Sequence, residues 1–364
     1  MNRILVVVNS SKVNGTEKVV IDIVNNIDSK LFEVFLAIPE NGDINCKILN
    51  KNVRIVEYGN IKMNKFNFTS IVNLYNLIKK IKPNLVNSHC SPIPCYIAKV
   101  FNNIKTVETR HGIHYDNKNL INLSLIIKLK EFLKYYFIDE ISVISNSDKE
   151  LLIKYLNYKN EKITVINNAF NNDIYKVIKK NTLSDNFKIC SVGRLVKEKN
   201  HLYMIEIFYE LLKIHPKFHL TIIGSGPEKN NIQNAISNYN LTEKITMINY
   251  TNKVLDIISQ NNIFLLTSKY EGVPLSVLDA LALGLPVIST NVGSIKDVVK
   301  DNFNGFTINI DLKELFLKKI LYLAENKETF LKFTVNAKNS VKNFTVEKMV
   351  KDYENLYLKL LNKS

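Results

Sequence analysis

The sequence predicts an α/β protein of two Rossmann-like, doubly wound domains that face a central cleft. In both halves, short apolar runs alternate with segments of helical periodicity, which is typical of a parallel sheet covered by helices. A polar stretch at 167–185 interrupts this alternation, which then restarts. Of the 364 residues, 46% are hydrophobic, so each half can bury a core of its own.

The first domain is predicted to span residues 1–175. It begins with "RILVVV", which is apolar like a buried strand but too short for a signal peptide or a membrane span. The strand-like runs that follow are "FEVFLAI", "VRIVEY", "NLVNSH" and "IKTVETRHG". The helical segments among them are "KVVIDIVNNI" and "FTSIVNLYNLIKKI".

The second domain is predicted to span residues 176–344 and repeats this order. Its strand-like runs are "FKICSVGRL", "HLTIIGSG", "KITMINY", "IFLLTS" and "PVIST", and its helical segments are "HLYMIEIFYELLKI", "NNIQNAISNYN" and "PLSVLDALAL". A last helix, residues 345–364, carries an apolar stripe that must be buried, formed by Val346, Met349, Val350, Tyr353, Leu356, Tyr357 and Leu360.

The formal net charge is +15 and is spread evenly over both halves. It either favours anionic partners, such as phosphates or an acidic membrane face, or merely solvates the surface. Nucleic acid is not expected as a partner, because no basic cluster with interleaved aromatic residues is visible. No apolar run is long enough to span a membrane, so we expect a cytoplasmic protein.

Cysteine spacing predicts neither a disulfide scaffold nor a zinc site. We expect buried thiols at Cys46, Cys90, Cys95 and Cys190. His89 lies next to Cys90, but a second paired motif and a fourth ligand are missing. No Asp-x-Asp pair offers a bridge from a metal to a diphosphate, so we expect metal-independent chemistry and no cofactor.

Two carboxylates, Glu271 and Asp279, flank the predicted start of a helix directly after the strand "IFLLTS". Gly272 permits a turn, and Pro274 suits a first helical position, where no N–H is needed. Unpaired N–H groups at a helix N-terminus attract phosphate, while nearby carboxylates bind sugar hydroxyls. A nucleotide-sugar meets both requirements.

Arg194 and Lys199 follow another predicted strand, with Gly193 at its end. The planar fork of Arg and the point charge of Lys suit a diphosphate and would stabilise it as a leaving group. A solvated loop is the alternative. The Gly-x-Gly turn at Gly224 lacks the third glycine of a dinucleotide site, so dinucleotide binding is not expected.

Two features of the first domain also follow predicted strands. Gly15 precedes a helix, as in an anion-binding loop, but no Gly-Lys-Ser or Gly-Lys-Thr follows, so an NTP-hydrolysing P-loop is not expected. His111 suits a hydrogen bond to a substrate hydroxyl, with a purely structural loop histidine as the alternative.

Taken together, "SVGRLVKEKN", "IIGSGPE" and "SKYEGVPLSVLDALALGLPVISTNVGSIKDVV" resemble the retaining glycosyltransferases of family 4, also called group 1 glycosyltransferases, which have the GT-B fold. The resemblance covers most of the second half, as far as "DNFNGF" at 301–306. In the first half it is limited to the Gly15 loop, "NSH" at 87–89 and "RHG" at 110–112.

The resemblance implies a role for each motif. Glu271 would contact the donor sugar and Asp279 the ribose, Arg194 and Lys199 would bind the diphosphate, and His111 would line the sugar. The Gly15 loop would lie near phosphate or acceptor. The last helix would cross back to the first domain. His111, Arg194, Lys199 and Glu271 are the expected catalytic residues. The expected donor-binding positions are Gly15, Gly193, Arg194, Lys199, Gly224, Asn249, Tyr250, Glu271, Gly272, Val273, Pro274, Leu275, Ser276 and Asp279.

Three departures from the family pattern concern the donor. Asp279 is one methylene shorter than the usual Glu, Asn249 replaces a usual Gly near the expected base pocket, and 167–172 lacks the common Asn-Gly-x-Asp. A UDP-sugar is favoured as donor. Retention would mean a front-face attack in which the leaving diphosphate helps to deprotonate the acceptor, with no protein nucleophile.

The acceptor is expected to be a glycan or a lipid-linked glycan, as in bacterial surface polysaccharide synthesis. The segment 120–137 combines a wide apolar stripe with Lys128, Lys130 and Lys134. It is either a helix packed into the core of its domain or one that lies on an anionic membrane surface, at the inner face of the cell membrane. A sugar-nucleotide epimerase with a GT-B-like fold and a non-catalytic sugar-nucleotide-binding protein are the alternative functions.

Overall fold

The chain forms two units in a computed structural model that describes residues 1–10, 12–40, 44, 47–59, 67–101, 104–113, 124–177 and 186–362. Unit 1 comprises Met1–Ala169 and Val346–Ser364, and unit 2 comprises Phe170–Thr345. The chain therefore changes unit between Ala169 and Phe170, slightly before the boundary predicted at residue 175. Cys46 and residues 120–123 lie outside the described residues.

Unit 1 contains a parallel sheet of seven strands in the order β3-β2-β1-β4-β5-β6-β7. The strands are β1 (Asn2–Val7), β2 (Phe32–Ile38), β3 (Arg54–Glu57), β4 (Leu85–His89), β5 (Lys105–Arg110), β6 (Glu140–Val143) and β7 (Ile163–Val165). The helices are α1 (Gly15–Asn26), α2 (Phe68–Ile81), α3 (Ile93–Lys99), α4 (Leu125–Phe137) and α5 (Asn146–Leu156), joined by the C-terminal helix described below. Since the strand order reverses between β1 and β4, the carboxyl ends of these two strands form a topological switch point.

Unit 2 contains a parallel sheet of six strands in the order β10-β9-β8-β11-β12-β13. The strands are β8 (Phe187–Val192), β9 (Phe218–Ile223), β10 (Ile245–Ile248), β11 (Ile263–Leu266), β12 (Val287–Thr290) and β13 (Gly305–Ile308). The helices are α6 (His201–Ile214), α7 (Lys229–Asn238), α8 (Val254–Ser259), α9 (Leu275–Ala282), α10 (Lys313–Glu325) and α11 (Lys327–Ser340). Here the order reverses between β8 and β11, so the switch point lies at their carboxyl ends.

The C-terminal helix α12 (Val346–Leu361) belongs to unit 1, although it follows unit 2 in sequence. All seven residues of its predicted stripe are buried. Asn87 of β4 donates a hydrogen bond of 2.7 Å to the Tyr357 hydroxyl, and Glu354 accepts one of 2.8 Å from the backbone N–H of Asp28. The helix is thus fixed by apolar packing and by polar contacts to β4 and to the residues that follow α1.

Helix α4 packs with its polar side inward. Glu131 is its buried residue, and an ion pair of 2.9 Å joins it to Arg110 at the end of β5. Lys134 pairs with Glu131 at 3.0 Å, and Tyr158 donates a hydrogen bond of 3.0 Å to the same carboxylate. Burial raises the pKa of Glu131. The charges of Arg110 and Lys134 lower it by a larger amount, so the pKa of this carboxyl lies below its usual value.

The apolar side of α4 faces outward. Its exposed side chains are Leu125, Ile126, Leu129, Phe132, Leu133, Tyr136 and Phe137, and the first of them is 85% exposed. The interpretation that this stripe packs into the core of its domain is therefore wrong. The buried ion cluster satisfies the polar side within the protein, so the helix holds its position without burying its apolar side.

Other differences from the sequence prediction are small. Pro274 is the N-cap of α9 rather than its first residue. Cys95 and Cys190 are buried as expected, but Cys90 is exposed. Within the described ranges, no helix is long and apolar enough to cross a membrane.

Candidate functional site

The predicted donor residues of unit 2 gather at the switch point of the second sheet. Arg194 and Lys199 lie in the loop that leaves β8, and Glu271 lies in the loop that leaves β11. β8 and β11 are neighbours in the sheet, so their carboxyl ends meet at one edge. Ligands of open α/β sheets bind at this place in the topology.

Lys199 and Glu271 form an ion pair there. The Lys199 ammonium donates to Glu271 Oε1, and the Ser268 hydroxyl donates to the same oxygen at 2.6 Å. Glu271 is only 7% exposed, so its carboxylate needs these partners in place of the water that burial removes. Ser268, which was not predicted, is held in turn by Thr290, whose hydroxyl donates to its carbonyl at 2.6 Å.

The backbone of Glu271 is fixed by the loop after β12. The Ser294 N–H donates to the Glu271 carbonyl at 3.3 Å. Gly293 has a left-handed φ of 53°, and a Cβ at this position would lie 1.8 Å from that carbonyl oxygen. Only glycine fits so close an approach. The segment "NVGS" was part of the family resemblance, but its contact with Glu271 could not be inferred from the sequence.

Gly224 allows the loop after β9 to pack closely against the loop after β8 at Gly193. A Cβ on Gly224 would lie 1.9 Å from the Gly193 carbonyl oxygen. The methylene groups of Lys199 lie beside Gly193, at 3.6 Å from the position a Cβ would take. A Cβ on Gly193 would be in ordinary contact with Lys199, so it is Gly224 whose position requires glycine.

Arg194 is exposed, and its guanidinium has no hydrogen-bond or ion-pair partner among the residues that the structure describes. Asn249 and Tyr250, after β10, are also exposed. Lys229 donates to the Asn249 side chain at 3.1 Å, and the Tyr250 N–H donates to the Ser225 hydroxyl at 3.3 Å. These contacts fix the rim of the switch point beside Gly224.

The segment from Gly272 to Ser276 leads into α9, where the first backbone N–H groups lack partners within the helix. Val273 is buried, whereas Gly272, Pro274, Leu275 and Ser276 are partly exposed. Asp279 lies within the helix. Its Oδ1 accepts a hydrogen bond of 2.8 Å from the backbone N–H of Asn171, in the segment that departs from the family pattern.

His111 lies in unit 1, directly after β5, and is paired with His89 at the end of β4. Nδ1 of His89 and Nε2 of His111 are 2.8 Å apart. Burial lowers the pKa of His111 to about 4, and burial followed by the proximity of His111 lowers the pKa of His89 well below its usual value. Both rings are therefore neutral near pH 7, and His111 can act only as a neutral hydrogen-bonding group.

Gly15 is the first residue of α1, as the strand–loop–helix pattern predicted. The preceding residue, Asn14, forms a capping box with Glu17, and the Asn14 N–H donates to the Glu17 carboxylate at 3.0 Å. A buried carboxylate thus already occupies part of this helix start. Binding of phosphate or acceptor at the Gly15 loop stays a prediction.

Across the described ranges, no three His, Cys, Asp or Glu side chains come together in a way that could hold a metal ion. His89 and Cys90, which are adjacent in sequence, make different side-chain contacts. His89 contacts His111, whereas the Cys90 sulfur lies 3.7 Å from the Thr16 hydroxyl.

Comparison with known proteins assigns a family to both halves. Residues 13–173 match glycosyltransferase family 4, and residues 173–340 match glycosyl transferases group 1. The chain is 26% identical to the UDP-Gal:alpha-D-GlcNAc-diphosphoundecaprenol alpha-1,3-galactosyltransferase of Escherichia coli, with 96% of this chain and 94% of the relative covered. It is 24% identical to the amylovoran biosynthesis glycosyltransferase AmsD of Erwinia amylovora, with 63% and 64% covered.

Solved structures show the same fold. HepE of Anabaena in complex with UDP superposes with a TM-score of 0.82 at 15% identity, covering 99% of this chain and 100% of HepE. A glycosyltransferase from Rickettsia africae gives 0.79 at 20% identity, covering 100% and 99%. The relatives are transferases, so neither the epimerase nor the non-catalytic alternative finds support.

Proposed function

This chain belongs to the group 1 glycosyltransferases with the GT-B fold, and from that premise we propose that it transfers a sugar from a UDP-sugar to a lipid-linked glycan. The observation that carries the proposal is the Lys199–Glu271 ion pair at the switch point of the second sheet. It brings a cation and a carboxylate together from two separate sequence motifs, and we propose that the first binds the diphosphate and the second the sugar.

We assign the diphosphate to Lys199 and the unpartnered Arg194, beside the start of α9. As the bond between the sugar and the diphosphate breaks, negative charge grows on the leaving diphosphate oxygen. Two cations and the N–H groups of the helix start stabilise that charge where it develops. The exposed guanidinium of Arg194 is available for this task, because no described residue competes for it.

We assign the transferred sugar to Glu271 and the ribose to Asp279. The Glu271 carboxylate accepts hydrogen bonds, so it suits sugar hydroxyls, and Ser268 and Lys199 keep it in place while the donor binds. Asp279 already accepts from the Asn171 backbone, which orients the short side chain. Asn249 and Tyr250 would border the base.

The proposed reaction retains the anomeric configuration and needs neither metal nor cofactor. The acceptor hydroxyl attacks from the face that the diphosphate leaves, and its proton passes to the departing diphosphate oxygen. The sugar–diphosphate bond breaks as the new glycosidic bond forms, so no covalent bond to the protein is required. The role of the protein is then to position the reactants and to stabilise charge.

A UDP-sugar donor and a lipid-linked acceptor are supported by the relatives. The name of the Escherichia coli enzyme specifies a UDP-sugar and a diphosphoundecaprenol acceptor, and HepE was crystallised with UDP-glucose. We place the reaction in surface polysaccharide synthesis at the inner face of the cell membrane. The positive net charge is consistent with that location.

We expect transfer from an α-linked UDP-sugar to yield an α-linked product, at a rate unchanged by EDTA. The test incubates the protein with UDP-galactose, UDP-glucose or UDP-N-acetylglucosamine and a synthetic polyprenyl-diphosphate sugar, and reads the anomeric configuration by NMR. A β-linked product would contradict retention. Loss of transfer in EDTA, restored by added Mg²⁺ or Mn²⁺, would contradict metal independence.

We further propose that α4 lies on the anionic membrane surface. Its outward apolar side chains continue into a groove of about 270 Å³ lined by Tyr96, Lys99, Val100, Leu133 and Phe137. Lys128 and Lys130 are exposed on the same helix, whereas its one acidic residue, Glu131, is buried in ion pairs. An apolar face with exposed lysines and no exposed acid matches an anionic bilayer in both polarity and charge.

Leu129→Gln/Phe132→Gln is expected to weaken binding to vesicles of phosphatidylglycerol and phosphatidylcholine at least about tenfold, since each buried side chain contributes about 1.5–3 kcal/mol. Both residues are exposed, so folding should be preserved. The matched control is Leu331→Gln/Val335→Gln on α11, which also removes two exposed apolar side chains. Equal co-sedimentation of the two double variants at low salt would exclude α4 as the membrane contact.

A further inference from the structure

His89 and His111 form a pair at the carboxyl ends of two neighbouring strands. In the register of β4 and β5, His89 lies opposite Thr109. His111 is two residues after Thr109, just past the end of β5, and its ring reaches His89 from there. The ring centres are 5.1 Å apart, and one hydrogen bond of 2.8 Å joins Nδ1 of His89 to Nε2 of His111. His89 is fully buried, and the ring of Tyr353 from α12 lies 6.3 Å from its ring.

Either of the two ring nitrogens could be the donor of this hydrogen bond. If Nδ1 of His89 is the donor, Nε2 of His89 is a bare lone pair, and His111 holds its proton on Nδ1. If Nε2 of His111 is the donor, the neutral His89 must hold its proton on Nε2. The state of Nε2 of His89 therefore decides between the two arrangements.

Nε2 of His89 is buried and has no hydrogen-bond partner in the described part of the chain. In the second arrangement it would be a buried N–H without an acceptor. Buried N–H groups without an acceptor are rare in native proteins, and under-satisfied acceptors are somewhat less rare. The first arrangement is therefore favoured.

We propose that His89 is a positioning residue that donates its Nδ1–H to Nε2 of His111 and so fixes the proton of His111 on Nδ1. If His111 lines the donor sugar, as the family resemblance implies and as the proposed function requires, this makes His111 a hydrogen-bond donor to a sugar oxygen. Its remaining ring nitrogen is occupied, so it does not act as a general base. The family resemblance assigned a role to His111 alone and none to His89.

The direct test is a long-range ¹H–¹⁵N NMR spectrum of protein labelled in its histidine rings, recorded near pH 7. We expect His111 to be protonated on Nδ1 with a bare Nε2, and His89 to show the same tautomer. The signals are assigned from the spectra of His89→Asn and His111→Asn. A His111 protonated on Nε2 in the unmodified protein would overturn the proposal, whatever its activity.

A kinetic test separates positioning from simple packing. His89→Phe keeps a ring but removes the donor, and we expect it to lower UDP-sugar turnover about 10- to 100-fold through misplacement of His111, while affinity for UDP alone is unchanged. His89→Asn offers an amide N–H close to the original Nδ1 and should recover most of the loss. His89→Phe with turnover and His111 tautomer both unchanged would overturn the proposal.

Failure of the proposed function has a different signature. If His111→Ala leaves UDP-sugar turnover unchanged, the assignment of His111 to the donor sugar is wrong. The NMR spectrum still decides whether His89 sets the tautomer of His111, because that measurement needs no substrate.

Discussion

Arg194→Ala is expected to lower sugar transfer about 100- to 1000-fold, the usual loss when one preorganised group that stabilises developing charge is removed. Stability should hardly change. The side chain is exposed and has no partner among the described residues, so the free energy of unfolding should stay within about 0.5 kcal/mol. The measurement pairs initial rates of UDP release with a denaturant unfolding curve of the same variant.

Lys199→Ala should lower turnover to a similar degree but also destabilise the protein. Within the described ranges, removal of this ammonium leaves Ser268 as the remaining side-chain partner of the buried Glu271 carboxylate, and breaking a buried pair costs about 3–5 kcal/mol. Lys197→Ala is the matched control, because Lys197 is an exposed lysine in the same turn. Equal turnover in the Arg194, Lys197 and Lys199 variants, with folding intact, would remove the diphosphate-binding role from both Arg194 and Lys199.

Gly293→Ala is expected to lower turnover about 100-fold or more, as misplacement of a catalytic group by about 1 Å does. The added Cβ would lie 1.8 Å from the Glu271 carbonyl oxygen, so the backbone that carries Glu271 must move. The variant should also be less stable, since Ala is strained at a φ of 53°.

Gly284→Ala controls for that strain. Gly284 is also left-handed, with a φ of 78°, but its Cβ would meet the flexible end of Lys338 rather than the site. We expect it to lose stability and keep its turnover per folded molecule. If Gly293→Ala does the same, the loop after β12 does not position Glu271.

Much of the fold could be predicted from the sequence, because parallel strands are read from short apolar runs. The apolar stripe of α12 likewise indicated which face of the helix is buried. The periodicity could not indicate which part of the protein covers that face. Short elements such as β6, β7, β13 and α3 lack a clear period and were missed. The orientation of α4 could not be predicted either. Its periodicity is the same whichever side faces the protein, and the orientation is set by contacts that the pattern does not show, namely the ion cluster around Glu131 and the packing of Tyr135 against the core.

Some residues of the candidate site could likewise be predicted from the sequence, and others could not. Arg194, Lys199 and Glu271 were predicted from chemistry placed after strands, and sheet topology then brings their loops together. Ser268, Gly293 and His89 were not assigned a role. Gly293 and His89 each act through a contact with a residue far away in the sequence, and Ser268, although close to Glu271 in sequence, acts through a side-chain hydrogen bond that depends on the shape of the loop. Such contacts have no signature in the local pattern.

Binding of nucleotide-sugars tests the central claim most directly, namely that a UDP-sugar binds at Lys199 and Glu271. UDP-, GDP- and ADP-sugars are added to the purified protein and to Glu271→Gln, and the apparent melting temperature is measured. A ligand that binds only the native state raises that temperature, by an amount that reflects its affinity. Of the three classes of nucleotide-sugar, we expect only UDP-sugars to raise it. Free UDP, added as a control, should also raise it, and Glu271→Gln should reduce the rise with UDP-sugars but not the rise with UDP. No rise with any donor, or an equal rise for Glu271→Gln and the unmodified protein, would contradict the claim.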